Sequence, residues 1–231
     1  MYTNPPKLTP RLQKIADMIT HADAIADIGT DHAYLPVYLC MKGFCKIAIA
    51  SDIRKGPVAR AIATVKKYEM CDKIQVRLGA GLDTIKSDEV SAIVIAGMGG
   101  LMIAEILDKG SEILKSLEKI IIQPMTHQME LRKYLIKNGY TIVNEALAKE
   151  ESKIYNIMEI KFEKSIESFT ESEYYIGKKS ILNNDKFFDE YFSRKLDSTK
   201  KIALELKKST ADDSKLKIKT CESLLNELLK Y

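Results

Sequence analysis

Three carboxylates and a glycine stand at spacings suited to a nucleoside ligand. Asp27 and Gly29 close an apolar run within "ADIGTDHAYLP" (26–36), Asp31 follows inside the turn, and Asp52 ends the next apolar run, "KIAIASD" (46–52). Gly29 lets the main chain turn tightly and come close to a ligand. An acid at Asp52 suits both hydroxyls of a ribose. A dinucleotide-binding loop would carry glycines where Asp31 and Ala33 stand. A carboxylate there repels a pyrophosphate but attracts a sulfonium or an ammonium group. S-adenosylmethionine carries both cations and no phosphate, so on charge grounds it fits better than NAD. Taken singly, Asp31 suits a helix cap as well, and Asp52 a turn. The set with Gly29 favours the ligand. His32 is open between a buried hydrogen-bonding role and a direct one.

Two more strand ends extend the pattern. "RLGAGLD" places Gly79 and Gly81 where an adenine ring can slide along the backbone, with Asp83 either reaching its amine or capping a helix. "IAGMGG" places Gly97, Gly99 and Gly100 where a reactive methyl would point. They suit a flat group approaching the main chain or a tight turn. Met98 reads as core or as the apolar wall of that slot.

These residues need strands to end side by side. Short β-branched runs at 24–29, 46–52, 74–81, 90–100 and 118–124 are apolar on both faces, as in a parallel sheet covered by helices. Helical patterns at 57–70, 100–114 and 127–139 separate them, the last closed by Gly139. Thr9 and Pro10 open an earlier helix. Segments 140–150 and 153–163, joined by Glu151 and Ser152, read as an antiparallel hairpin at the sheet edge. The expected fold is α/β, a doubly wound, mostly parallel sheet with right-handed crossovers.

From about Lys164 proline vanishes and the chain turns amphipathic. Phe188, Phe192, Lys195, Thr199, Ile202 and Leu206 trace one stripe, and Leu224, Leu225, Leu228 and Leu229 another, with "TADD" (210–213) as turn and cap. The domains expected are therefore 1–163, carrying the cofactor site, and 164–231, a helical hairpin. Lys and Arg outnumber Asp and Glu nine to four between Arg194 and Lys219. That suits a phosphate-tracking arm or a solvated face equally. Lys7, Arg11 and Lys14 form a second basic group. Net charge is only +4, with 36 Lys and Arg against 32 Asp and Glu, so global charge does not select a polyanion partner. Four cysteines form no CxxC pair and three histidines sit at no zinc spacing, so no metal site is expected. No apolar run suits a bilayer span or a signal core, and the cytoplasm is the expected compartment.

"ADIGTDHAYLP", "SDI" (51–53), "RLGAGL", "IAGMGG" and Gln123-Pro124 resemble class I S-adenosylmethionine-dependent methyltransferases, and within them the bacterial tRNA adenine-22 N1-methyltransferases (TrmK). Met125 and Ala80 depart from that family's usual residues. The resemblance implies a seven-stranded Rossmann-like sheet, a coiled-coil-like C-terminal domain, and methyl transfer to N1 of an adenine in the D-arm region of tRNA. It adds Ile53, Ala80 and Ala96 to the donor contacts expected at Asp27, Gly29, Asp31, Asp52, Gly79, Gly81 and Gly97. It implies Asp31 and His32 for catalysis. Tyr34 is open between stacking on the flipped base and packing, and Met98, Gly99, Gly100, Gln123 and Pro124 are expected beside the substrate. It also favours the RNA reading of Lys7, Arg11, Lys200, Lys201, Lys207 and Lys208. The alternatives are a small-molecule methyltransferase whose arm mediates self-association, and a non-catalytic binding module.

Overall fold

The computed structural model describes residues 4–164, 168–208 and 214–231. The chain divides into two compact units, Met1–Ile166 and Glu167–Tyr231. In the first, β1 (Ala22–Ile28), β2 (Cys45–Asp52), β3 (Ile74–Leu78), β4 (Ala92–Gly99), β5 (Lys119–Thr126), β6 (Tyr140–Glu150) and β7 (Lys153–Phe162) build one seven-stranded sheet. Its order is β3-β2-β1-β4-β5-β7-β6, parallel except that β7 runs antiparallel to both β5 and β6. The expected hairpin is therefore β6–β7, with Glu151 in its turn at φ +53.

Helices α1 (Pro10–Met18), α2 (Tyr34–Met41), α3 (Lys55–Lys67), α4 (Gly100–Lys109), α5 (Ser111–Leu114) and α6 (Gln128–Lys137) connect or cover the strands. α1 opens as its residues dictate: Pro10 is the first helical residue and the Thr9 hydroxyl accepts from Leu12 N at 3.5 Å. Three local expectations are corrected. Helix α2 carries no amphipathic stripe that would announce it, because "YLPVYLCM" is apolar on nearly every side and contains Pro36. Gly110 divides the single helix expected over 100–114 into α4 and α5. Strand β3 ends at Leu78, because Gly79 to Gly81 leave the sheet for a 3₁₀ turn at Gly81–Thr84.

Strand order reverses between β1 and β4, so their carboxyl ends diverge into a crevice. Register keeps those ends level, with Ile28 opposite Ser51 and Ile95, and Asp52 opposite Leu78. Between β4 and β5 the register slips after Ala96, and Gly97 is the extra residue.

The second unit contains α7 (Glu171–Ile176), α8 (Lys179–Leu182), α9 (Phe188–Lys208) and α10 (Ser214–Leu228). α9 and α10 pack together as the expected hairpin, and Lys207 bridges to Glu222 at 2.8 Å. The stripe drifts along α9: Phe188 and Thr199 are buried, but Ile202 is exposed and Ala203 takes its inward place. The "TADD" turn lies outside the described residues. Helix α7 was unforeseen, although Thr170 and Glu173 form a capping box that its sequence spells.

A buried polar cluster ties the sheet edge to α6. Arg132 and Glu145 have fully buried side chains; Arg132 Nε donates to Glu145 Oε1 at 2.9 Å and Nη2 to Asn156 Oδ1 at 2.9 Å. Removing one partner strands the other charge in the core. Arg132→Ala should destabilise the protein by about 3–5 kcal/mol, read from urea unfolding. A loss under about 1 kcal/mol would show that the edge does not rely on this cluster.

Candidate active site

The turn after β1 is fixed by one carbonyl. Gly29 N and Thr30 N both donate to Ser51 O at 2.8 Å, which draws the loop across the end of β2. Gly29 has φ +79, a backbone conformation that favours glycine, and the flexible end of Met98 lies against it where a β-carbon would stand. The Thr30 hydroxyl accepts from Ala33 N at 3.1 Å and starts the entry into α2.

Asp27, one residue from the end of β1, is only 8% exposed. Burial pushes its pKa up to about 6, against a hydrogen bond from Thr30 and the positive charge of Arg11; the negative charge of Asp52 adds to the rise. Asp52 is also buried, and its Oδ1 accepts from Arg54 N at 2.7 Å. Arg54 Nε reaches the same oxygen at 3.4 Å.

Two cavities meet at Gly29. The first, of about 290 Å³, is walled by Asp52 and Ile53, by Gly79 to Asp83, and by Met98 with Met102 and Ile106 of α4. The second, of about 460 Å³, is lined by Asp27, Thr30 to Leu35, Arg11, Arg54, Ala96 and Gly97. The glycine-rich segments at 29, 79–81 and 97 and both buried acids are thus brought together, as their spacing required.

Other expected residues take different places. Asp31 is exposed on the rim, and its Oδ1 is held by Arg60 of α3, with Nε at 3.0 Å and Nη2 closer still. That pairing keeps its carboxyl below the usual carboxylate range. His32 Nε2 lies 3.5 Å from Asp31 Oδ2. Its ring stacks on Tyr34, with centroids 5.2 Å apart and planes 6° from parallel.

Gln123 was expected beside the substrate, yet it is fully buried and lines neither cavity. Its Oε1 accepts from Gly97 N at 3.0 Å and from Arg11 Nη1 at 2.8 Å, so it pins the β4 bulge from behind. Pro124 is buried beside it, and Met125 Sδ sits 3.6 Å from Gln123 Nε2. Gly99 and Gly100 also lie outside both cavities. A β-carbon at Gly100 would strike the carbonyl oxygens of Thr126 and His127, so close packing of α4 on the β5–α6 junction explains it.

Lys7 is exposed, whereas Arg11 is drawn into the second cavity. In the second unit Lys200 and Lys201 are exposed, and Lys200 lies 3.9 Å from Asp197. Lys207 is committed to Glu222, and the Lys208 side chain lies outside the described residues. Arg54 and Arg60 went unnoticed in the sequence: 29 positions separate Asp31 from Arg60, and only the fold joins them. Among the described residues no group of three or more His, Cys, Asp or Glu side chains can hold a metal, and no helix is long and apolar enough to cross a membrane.

This sheet order, with a glycine turn at the switch point and an acid ending β2, defines a class I S-adenosylmethionine-dependent methyltransferase fold. The family model for tRNA (adenine(22)-N(1))-methyltransferase, TrmK, matches residues 25–227, and the chain belongs to that family. It is 41% identical over 152 residues to the tRNA (adenine(22)-N(1))-methyltransferase of Bacillus subtilis (strain 168). That match spans 66% of this chain and 64% of the relative. The crystal structure of the B. subtilis m1A22 tRNA methyltransferase superposes with a TM-score of 0.86 at 33% identity, covering 97% of each chain. The M. capricolum TrmK structure, solved with S-adenosylhomocysteine, gives 0.83 at 30% identity, again over 97% of each.

An acid whose pKa rises on folding contributes stability that is present below its unfolded value, near 3.8, and lost as pH climbs through about 6. Above that window the buried charge of Asp27 opposes folding by on the order of 3 kcal/mol. Asp27→Asn should therefore raise the melting temperature at pH 7.5 and change it little at pH 4. Equal stability at both values would show that the burial carries no electrostatic cost.

Proposed function

We propose that this chain transfers a methyl group from S-adenosylmethionine to N1 of an adenine in tRNA, at position 22 as its relatives' names specify. The observation that carries the reading is the pair of cavities meeting at Gly29, with one buried acid on each side. The donor has a nucleoside at one end and an amino acid at the other, joined by a sulfonium. The first cavity suits the nucleoside: Asp52 Oδ2 makes no hydrogen bond among the described residues and can accept from the ribose, while Ile53, Met102 and Ile106 offer apolar walls to adenine. The second suits the amino acid, with Asp27 as counter-charge to the ammonium group. The bound donor supplies an electrophilic methyl group.

Adenine N1 is neutral near pH 7 and already holds an in-plane lone pair, so no general base is required. As N1 bonds to the methyl carbon, the carbon–sulfur bond breaks and its electron pair stays on sulfur. Positive charge moves onto the base. Asp31 on the rim, with His32 beside it, lies where a carboxylate can follow that charge. The task left to the protein is alignment, which can supply roughly 7–11 kcal/mol. N1 lies on the pairing edge, so the target base must leave its stack. The parallel His32 and Tyr34 rings at the cavity mouth provide a surface for it. Asp31 and His32 are thus the catalytic candidates. Lys200 and Lys201, exposed on α9, with Lys7, are proposed phosphate contacts, and a tRNA substrate places the work in the cytoplasm.

Purified protein incubated with methyl-labelled S-adenosylmethionine and unmodified tRNA should yield 1-methyladenosine after digestion to nucleosides. Label in another nucleoside would contradict the site assignment. Label confined to small molecules, with RNA untouched, would favour the small-molecule reading.

A further inference from the structure

One wall of the first cavity is fastened from outside it. Residues 79–83 form that wall, and Gly79 and Gly81 give its backbone more freedom than other residues would, with Gly81 at φ +48. Local bonds shape the turn: Gly79 N donates to Asp52 O at 3.1 Å, Asp83 N to Ala80 O at 3.0 Å, and the Thr84 hydroxyl to Gly81 O at 3.2 Å. The far end of the wall is tied by Arg77, which stands on β3 just before it. Arg77 Nη1 donates to Thr84 O at 2.6 Å and to Glu89 Oε2 at 2.8 Å, and Nη2 donates to Glu89 Oε1 at 2.5 Å and to Gln75 Oε1 at 2.7 Å. A single guanidinium thus closes the chain from 77 to 84 and spends both hydrogens of each terminal nitrogen. Glu89 is braced in turn, because Lys86 N donates to its Oε2 at 2.9 Å. Two parallel bonds between guanidinium and carboxylate are the strong form of an ion pair. The two side chains are only 23% and 24% exposed, so water screens them less than the pairs on the rim. Arg77 holds the Glu89 carboxyl down at about 2, which keeps the pair charged. Yet Arg77 lines none of the first cavity; with Ile47, Gln75 and Glu89 it lines a separate small cleft.

We infer that Arg77, braced by Glu89, is a positioning residue of the donor site: it holds the 79–83 wall in the shape that receives the donor's nucleoside, without touching the donor itself. This rests on the donor proposed above. Without the tie to Thr84 O, the wall spends part of its time in other shapes, and apparent affinity falls with the fraction that stays competent. The loss belongs to the nucleoside end, so any ligand that carries the nucleoside suffers it equally.

The test is calorimetric binding of S-adenosylmethionine and of 5′-methylthioadenosine, which keeps the nucleoside and lacks the amino acid. In Arg77→Met both affinities should fall by the same factor, roughly five- to fifty-fold. Arg77→Lys, which keeps the charge but not the fork, should recover part of the loss. Glu89→Gln should weaken both ligands less, and the double variant should bind no worse than Arg77→Met alone, because Glu89 acts through Arg77. With tRNA as acceptor, KM for the donor should rise in Arg77→Met while kcat at saturating donor stays within about two-fold. Melting curves report whether each variant folds, and if Arg77→Met does not, Arg77→Lys and Glu89→Gln supply the same readings. Unchanged affinities in a folded Arg77→Met overturn the inference and leave the pair a purely structural one. So does a loss confined to S-adenosylmethionine, as does a double variant whose effects add. Failure of the wild type to bind S-adenosylmethionine at all would instead overturn the function proposed above, and this inference with it.

Discussion

The buried carboxylate of Asp27 is the constraint around which the site is arranged. Asp27 sits near the end of a central strand, and burial lifts its pKa to about 6 with only Thr30 and the distant charge of Arg11 in opposition. Such a group is costly at neutral pH unless a cation completes it. The neighbouring architecture holds that cost in place. Ser51 O captures the amides of Gly29 and Thr30, Met98 fills the space beside Gly29, and Gln123 locks both the bulge at Gly97 and the direction of Arg11. Each contact lies on a different strand, which is why the level register of β1, β2, β4 and β5 matters more than any one side chain.

The two rim arginines show how the remaining charge is managed. Arg54 rests on Asp52 and Arg60 on Asp31; Arg54 is the residue before α3 and Arg60 lies within it. The ion pairs are exposed on the arginine side and therefore weak, so they keep the acids oriented without locking them. Asp31 fills a position that a pyrophosphate-binding loop would leave to glycine, and it stands on the rim of the second cavity. In the reaction proposed above it is the carboxylate that meets charge appearing on the base.

Much of this was legible in the sequence, for identifiable reasons. Strands buried on both faces write themselves as apolar runs, so β1 to β5 were readable, as were Asp27, Gly29, Asp52, Gly79 and Gly97 at or near their ends. Helix α2 was not, because apolar residues on nearly every side erase the amphipathic signal. Gln123 entered as a substrate contact through the family resemblance alone, and its buried place holding the bulge at Gly97 depends on a register slip that no sequence pattern shows. Arg11 was legible only as part of a basic group, and Arg60 not at all, because their partners, Gln123 and Asp31, are far away in the chain. In the second unit the stripe on α9 was readable, but its drift from Ile202 to Ala203 depends on how α10 packs.

In the proposed complex the ammonium group of the donor offsets the burial of Asp27, and S-adenosylmethionine affinity measured by calorimetry between pH 5 and 8 reads that pairing. Affinity should be flat above about pH 6.5 and fall below about 6, approaching ten-fold per unit, as Asp27 takes up a proton. The same titration in Asp27→Asn should be weak and flat. A wild-type affinity unchanged down to pH 5, or an Asp27→Asn variant that binds as tightly as the wild type, would contradict that pairing.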